Sequence, residues 1–276
     1  MQHFLRSVNK TKKCRLFVRH KVLFVSHASP TLLIEQDSEY YRFLKQFSNK
    51  LSLSEYDTLV TSSPHFAVKG KAYIVQTKEL KCIQDYYGFP AELYRFCVNA
   101  QNDLELVQEI LNQGFRIEPT DKWGLDHGVW VPLYILFGEN VGNTVCVSCD
   151  PFNPSFNYEL GSIIRKAADK LQKRVLFLAS GSPTHRLDLF EFGKTESADD
   201  PLYEFDKILI HTLTKEPMSL LSLKEREREK YIMAQPEGGL GPLFTAMGFA
   251  GSELNPKVLY YGVPYKGVSV LAAELV

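Results

Sequence analysis

Four histidines stand apart by their surroundings. His27 lies in Val22-Leu-Phe-Val-Ser-His-Ala-Ser-Pro30, and His65 ends Leu59-Val-Thr-Ser-Ser-Pro-His65. His127 sits in Trp123-Gly-Leu-Asp-His-Gly-Val-Trp130, and His185 ends Val175-Leu-Phe-Leu-Ala-Ser-Gly-Ser-Pro-Thr-His185. Each time an apolar run leads to a loop that carries an imidazole. The chain has seven histidines in all, so more than half occupy such loops. Singly, each reads as a satisfied histidine; together they read as a constellation. Neutral imidazoles converging on strand ends are first-choice ligands for zinc or ferrous iron. Two histidines and one carboxylate, with open positions, form the site of non-haem Fe(II) oxygenases. A further histidine off the metal can move protons.

The elements that must position these residues are legible from periodicity. Val22 to Val25 is a short apolar, β-branched-rich run, the mark of a buried strand. Small residues and Pro30 stop it, which places His27 at a strand end. In open α/β sheets ligands bind at the carboxyl ends of the strands. Strands are expected over 57–62, 71–76, 115–118, 144–149, 174–179, 258–261 and 268–271. Helices are expected over 38–50, 90–95, 102–112, 132–137, 155–172, 199–213, 220–231 and 243–249. The alternation predicts a single α/β domain over residues 21–276, with a central mixed sheet covered by helices on both faces.

Composition narrows the function. Lys plus Arg and Asp plus Glu balance at 32 each, so net charge does not point to nucleic acid. No apolar run approaches the roughly 20 residues that span a bilayer. Ser180-Gly-Ser182-Pro does not fit a nucleophile elbow, and no phosphate-binding loop is present. Five cysteines at irregular spacing do not resemble a disulfide framework, and a reducing, cytoplasmic setting follows by default. Cys146-Val-Ser-Cys149 lies in a strand, where i and i+3 face opposite ways, so both read as buried structural thiols. Residues 1–20 are basic and acid-poor. They read as a solvated tail with a strand at Cys14 to Val18, or as a mitochondrial transit segment. The charged run Lys224 to Lys230 reads as a solvated helix face.

The motifs resemble those of the class III extradiol ring-cleavage dioxygenases of the LigB superfamily, in the DOPA 4,5-dioxygenase-like branch. The resemblance rests on Ser26-His-Ala-Ser-Pro30, Ser63-Pro-His65, Asp85-Tyr-Tyr-Gly-Phe-Pro90 with Tyr94, Trp123 to Trp130, and Ser180 to His185. It runs from about Val22 to the carboxyl terminus. It implies a metal-dependent enzyme that cleaves a catechol-type aromatic ring with O2, using one Fe(II) or Zn(II) ion per chain. It makes His27 and His65 metal ligands, His185 an acid/base group and His127 a contact to the substrate oxygen. Tyr86, Tyr87, Phe89 and Trp130 become candidates for the ring pocket, or ordinary core aromatics. Members of the branch usually place a histidine, the third ligand, before the helix matched by Gly241 to Gly248. This chain has Glu237-Gly-Gly-Leu240 there. Glu237 is then either the third ligand, aimed inward by Gly238 and Gly239, or a cap on that helix. Gln84 stands where the branch often has histidine. The alternatives are a catalytically silent relative that binds a partner or ligand, and a zinc-dependent hydrolase.

Overall fold

The computed structural model describes residues 19–191 and 194–276; the expected basic tail falls, up to residue 18, outside them. The chain runs β1 (Lys21–Val25), α1 (Glu39–Ser48), β2 (Thr58–Ala67), β3 (Ala72–Val75), β4 (Glu79–Leu80), β5 (Asn99–Asn102), α2 (Leu104–Leu111), β6 (Ile117–Thr120) and α3 (His127–Phe137). It continues with β7 (Asn140–Cys149), α4 (Pro154–Lys170), β8 (Val175–Ala179), α5 (Glu204–Lys215), α6 (Leu223–Arg226), α7 (Arg228–Ala234), α8 (Gly241–Ala250), β9 (Lys257–Tyr265) and β10 (Val268–Glu274).

Side chains of a strand alternate between the faces of a sheet. Val22 and Phe24 of β1 pack into one apolar core, Leu23 and Val25 into another. A strand apolar at every position must therefore be covered on both sides, and it is. Leu106 of α2, Leu160 of α4, Leu209 of α5 and Leu243 of α8 fill the first core. Leu44 of α1 and Leu133 of α3 fill the second. The single mixed sheet has the order β4-β5-β7-β2-β8-β1-β10-β9, with β3 on β7 and β6 on β3. Its centre, β5-β7-β2-β8-β1, is parallel. On one side β4 pairs antiparallel with β5; on the other β10 pairs antiparallel with β1, and β9 antiparallel with β10. The carboxyl ends of β1, β2 and β8 thus lie side by side.

Several elements differ from the sequence expectation. β5 is polar, and its Asn102 amide donates to Val75 and Thr77 carbonyls at 2.8 and 2.9 Å. Backbone pairing makes it a strand, without an apolar pattern. The helix expected over 220–231 is broken: a 3-10 turn at Pro217–Ser222 precedes α6, and Glu227 interrupts α6 and α7. α3 begins at His127, earlier than expected, and contains Pro132. Cys82 and Cys97 form a disulfide, their Cα atoms 6.1 Å apart, where no disulfide was expected. Cys146 and Cys149 are free and buried, as expected of structural thiols. No helix among the described residues is long and apolar enough to cross a membrane.

Candidate active site

Four backbone devices bring the histidines together. After β1, Ser26 is pinned on three sides. Its N–H donates to Leu271 O at 2.9 Å, its hydroxyl to Gly181 O at 2.6 Å, and its carbonyl accepts from Tyr40 OH at 2.6 Å. His27 follows, buried, and Ala28 takes a φ of +60°. A non-glycine residue in that region signals a chain held by its surroundings. In β2 the pairing with β7 jumps from Ser62 opposite Val147 to Ala67 opposite Cys149. The surplus residues bulge and re-aim the strand, and His65 lies among them. His127 opens α3 behind its cap Asp126, whose Oδ1 accepts the Gly128 N–H at 3.0 Å. A Cβ at Gly128 would lie 2.6 Å from Ser63 Oγ and 3.2 Å from His65 Nδ1, so only glycine fits against the His65 bulge. After β8, the Glu237 N–H donates to Ser182 O at 3.0 Å and the His185 N–H to Ala234 O at 2.9 Å. The loop carrying His185 and the one carrying Glu237 are therefore fastened together.

Glu237 is the hub. Its Oε1 lies 3.0 Å from His65 Nε2, 3.4 Å from His185 Nε2 and 3.5 Å from His27 Nε2. Its Oε2 accepts the Ser182 N–H at 3.0 Å. The carboxylate is buried and serves as the cap of no helix: α8 is preceded by Leu240, without a side-chain cap. Gly238 and Gly239 carry φ of +53° and +59°. A Cβ on Gly238 would meet Pro64 Cα at 2.8 Å, and one on Gly239 would meet Pro151 O at 2.0 Å. The glycines let the chain turn tightly against the His65 bulge, which carries Glu237 inward.

Each of three imidazoles is steadied from behind. His27 Nδ1 is 3.1 Å from Ser180 Oγ, and His127 Nδ1 is 2.7 Å from Asp85 Oδ1. His65 Nδ1 lies 3.0 Å from Asp85 and 3.4 Å from Asp126, though without hydrogen-bond alignment. The side chain of His185 makes no hydrogen bond among the described residues; its approach to Glu237 is its charged contact. Burial pushes the His27 imidazole down to about 3, against the pull of Glu237. Burial also opposes charge on His65, but Asp126, Asp85 and Glu237 outweigh it and raise its pKa well above the usual range. Burial would raise Glu237, yet the imidazoles of His27, His185 and His65 hold it well below the carboxylate range.

These donors suit a cation of the Fe(II) or Zn(II) kind. Ligands about 2.0–2.2 Å from one ion stand roughly 3 Å apart, as do Glu237 Oε1 and its imidazole neighbours. Imidazoles whose other nitrogen meets a hydroxyl or carboxylate are the usual metal ligands. Ring nitrogens of His27, His65 and His127 also fall within 4.8 Å of one another.

The four histidines, Glu237 and Asp85 floor a cavity of about 460 Å³. Tyr86 and Phe89 line it, and Tyr87 stands at its rim, 90% exposed. Trp130 does not line it. It is fully buried, and its indole donates to Ile83 O at 2.9 Å, so the pocket assignment from sequence is corrected to a core role. Gln84 also stays out, tying the aromatic loop through Tyr94 O and Phe96 O at 2.8 and 3.2 Å. Asp85, Asp126 and Ser180 had no assigned role from sequence, although all three lie inside the quoted motifs. Leu187, Phe190 and Tyr265 also line the cavity and carried no signal at all.

An open α/β sheet thus carries a cluster of imidazoles around one buried carboxylate at one end of its central strands. A family profile described as the catalytic LigB subunit of aromatic ring-opening dioxygenase matches residues 21–275, and the chain belongs to that family. A 4,5-DOPA dioxygenase extradiol of Beta vulgaris is 28% identical over 251 residues, covering 87% of this chain and 90% of that protein. One of Escherichia coli K12 is 28% identical over 265 residues, covering 93% and 95%. A 4,5-DOPA dioxygenase extradiol-like protein of Schizosaccharomyces pombe is 24% identical, covering 86% of each. The crystal structure of an uncharacterised Escherichia coli K12 protein superposes with a TM-score of 0.69 at 18% identity, over 94% of this chain and all of that one, a likeness of fold.

Proposed function

We propose that this chain is a metal-dependent extradiol dioxygenase that opens a catechol-type ring with O2. One observation carries the reading: a buried carboxylate oxygen lies within 3.5 Å of three imidazole nitrogens on the floor of an aromatic-walled cavity. His27, His65 and Glu237 would hold one Fe(II) or Zn(II) ion. Bound Fe(II) supplies the redox chemistry that joins O2 to a catechol, whereas Zn(II) supplies only Lewis acidity. His65 would have to be neutral to serve as a ligand there.

The protein's own groups do the rest. His127, fixed through Nδ1 by Asp85, keeps Nε2 as an acceptor for a hydroxyl of the substrate. His185, unanchored by any carboxylate from behind, takes a proton from a ring hydroxyl and returns one during ring opening. Tyr86 and Phe89 hold the ring and exclude water. Anaerobically purified protein should contain one ion per chain and consume O2 in step with catechol loss. His185→Ala should keep its metal and lose roughly 10²–10⁴-fold in turnover. Bound metal without O2 uptake on any catechol would favour a silent relative, or, with zinc and ester cleavage, a hydrolase.

A further inference from the structure

The floor and the rim of the cavity differ in chemistry. Every charged lining group sits at the floor and is committed there: Asp85 to His127 and His65, Glu237 to His65, His27 and His185. Pro30, Tyr87, Phe89, Leu187, Phe190 and Val268 also line the cavity: Tyr87 and Leu187 are exposed and form the rim, Phe89 and Phe190 are half-buried, and Pro30 and Val268 are buried. Among the described residues no lysine or arginine lines the cavity. Arg186 adjoins His185 in sequence, but its guanidinium holds Asp188 at 2.6 and 2.7 Å and Met233 O at 2.9 Å. Lys266 and Lys194 are both paired with Glu191.

A catechol whose two hydroxyls face the floor must point its ring substituent at this rim. Leu187 is 63% exposed and Tyr87 90%, so an apolar group placed between them would bury surface that water now covers. Each methylene buried adds roughly fourfold in affinity. A carboxylate there would lose water without gaining a cationic partner, and burying an unpaired charge is costly. A cation at the floor is offset by Glu237, Asp85, Asp126 and the catechol oxygens, leaving little attraction for a distant carboxylate.

We infer that the site selects catechols with an uncharged, apolar ring substituent and rejects those bearing a carboxylate. This rests on the reading of the cavity as a catechol site, and it separates the chain from relatives named for an amino-acid catechol. The test uses the full chain loaded with Fe(II). Propylcatechol and dihydroxyphenylpropionate have side chains of similar length. Their dissociation constants are measured by calorimetry without O2, so that nothing turns over. Propylcatechol should bind at least about tenfold tighter. A smaller ratio, or tighter binding of the propionate, overturns the inference. Leu187→Arg, at an exposed position, should narrow the ratio by roughly threefold or more. An unchanged ratio would show that the substituent does not reach this rim, and would also overturn the inference. Oxygen uptake separates the two claims. The expected binding order without uptake sinks the dioxygenase reading and supports the inference. Uptake that prefers the propionate does the reverse. Failure of both compounds to bind overturns both.

Discussion

Replacing Glu237 with Gln would remove one negative charge from a nearly sealed place while keeping the shape. The carboxylate side chain is 5% exposed, with Oε2 on the Ser182 N–H and Oε1 amid three imidazoles. In metal-free protein the cost should be modest. A Gln carbonyl still accepts from Ser182, and His65 keeps Asp85 and Asp126 at 3.0 and 3.4 Å. The expected loss is about 1–3 kcal/mol, that of weakening hydrogen bonds to a charged group. It falls short of the roughly 3–5 kcal/mol that a buried charge left wholly alone would cost. Metal affinity should fall much further. Losing a residue that only supports a ligand costs about 10–100-fold, and a charged ligand should exceed the upper end of that span. Urea unfolding of the metal-free variant measures the first quantity, and anaerobic titration with Fe(II) or Zn(II) the second. Wild-type metal affinity in Glu237→Gln would make Glu237 an ion-pair partner alone and refute its role as a ligand.

Three further outcomes follow from other parts of the fold. Asp206 is buried and accepts from Thr184 Oγ1 at 2.7 Å and Tyr261 OH at 2.9 Å; burial raises it from the ordinary 3.8 to about 6. The folded protein therefore keeps this proton where the unfolded chain has lost it, so up to about 3 kcal/mol of stability present below pH 4 should vanish as pH rises to 6. Asp206→Asn should flatten that part of a stability-against-pH curve, and an unaltered slope would place the proton elsewhere. Gly239→Ala adds a left-handed penalty of about 1–2 kcal/mol to an approach of 2.0 Å on Pro151 O, so thermal unfolding should show about 2–5 kcal/mol lost; less than 1 kcal/mol would mean that the loop relaxes freely. The Cys82–Cys97 bridge closes a separation of 15 residues that contains Asp85, Tyr86 and Phe89. Cys97→Ser should cost about 3 kcal/mol under oxidising conditions, and equal stability of oxidised wild type and variant would show that the bridge does not constrain the chain.

The sequence by itself determined the central strands, the helices over them, and the histidines delivered at the strand ends. Val22 to Val25 and Val175 to Ala179 are apolar at every position, and such runs have few places to go except the middle of a covered sheet. His27, His65, His127 and His185 could be picked out because each follows such a run or sits in a distinctive motif. Their convergence, however, depends on β1, β2 and β8 being neighbours in a parallel sheet, which no local pattern encodes. The role of Glu237 also lay beyond the sequence. A carboxylate before a helix is compatible with a cap and with an inward ligand, and only the packing of Gly238 on Pro64 and Gly239 on Pro151 turns it inward. Trp130 was open between pocket and core from its motif, and the burial of its ring in the second core places it there. β5 and the Cys82–Cys97 pairing were silent in the sequence, because strand pairing without an apolar pattern and thiol proximity are settled by how the segments meet in the fold. Local periodicity reports what a residue's own element must bury; which groups then face one another across a cavity is settled by strand order and by the close approach of loops far apart in the chain.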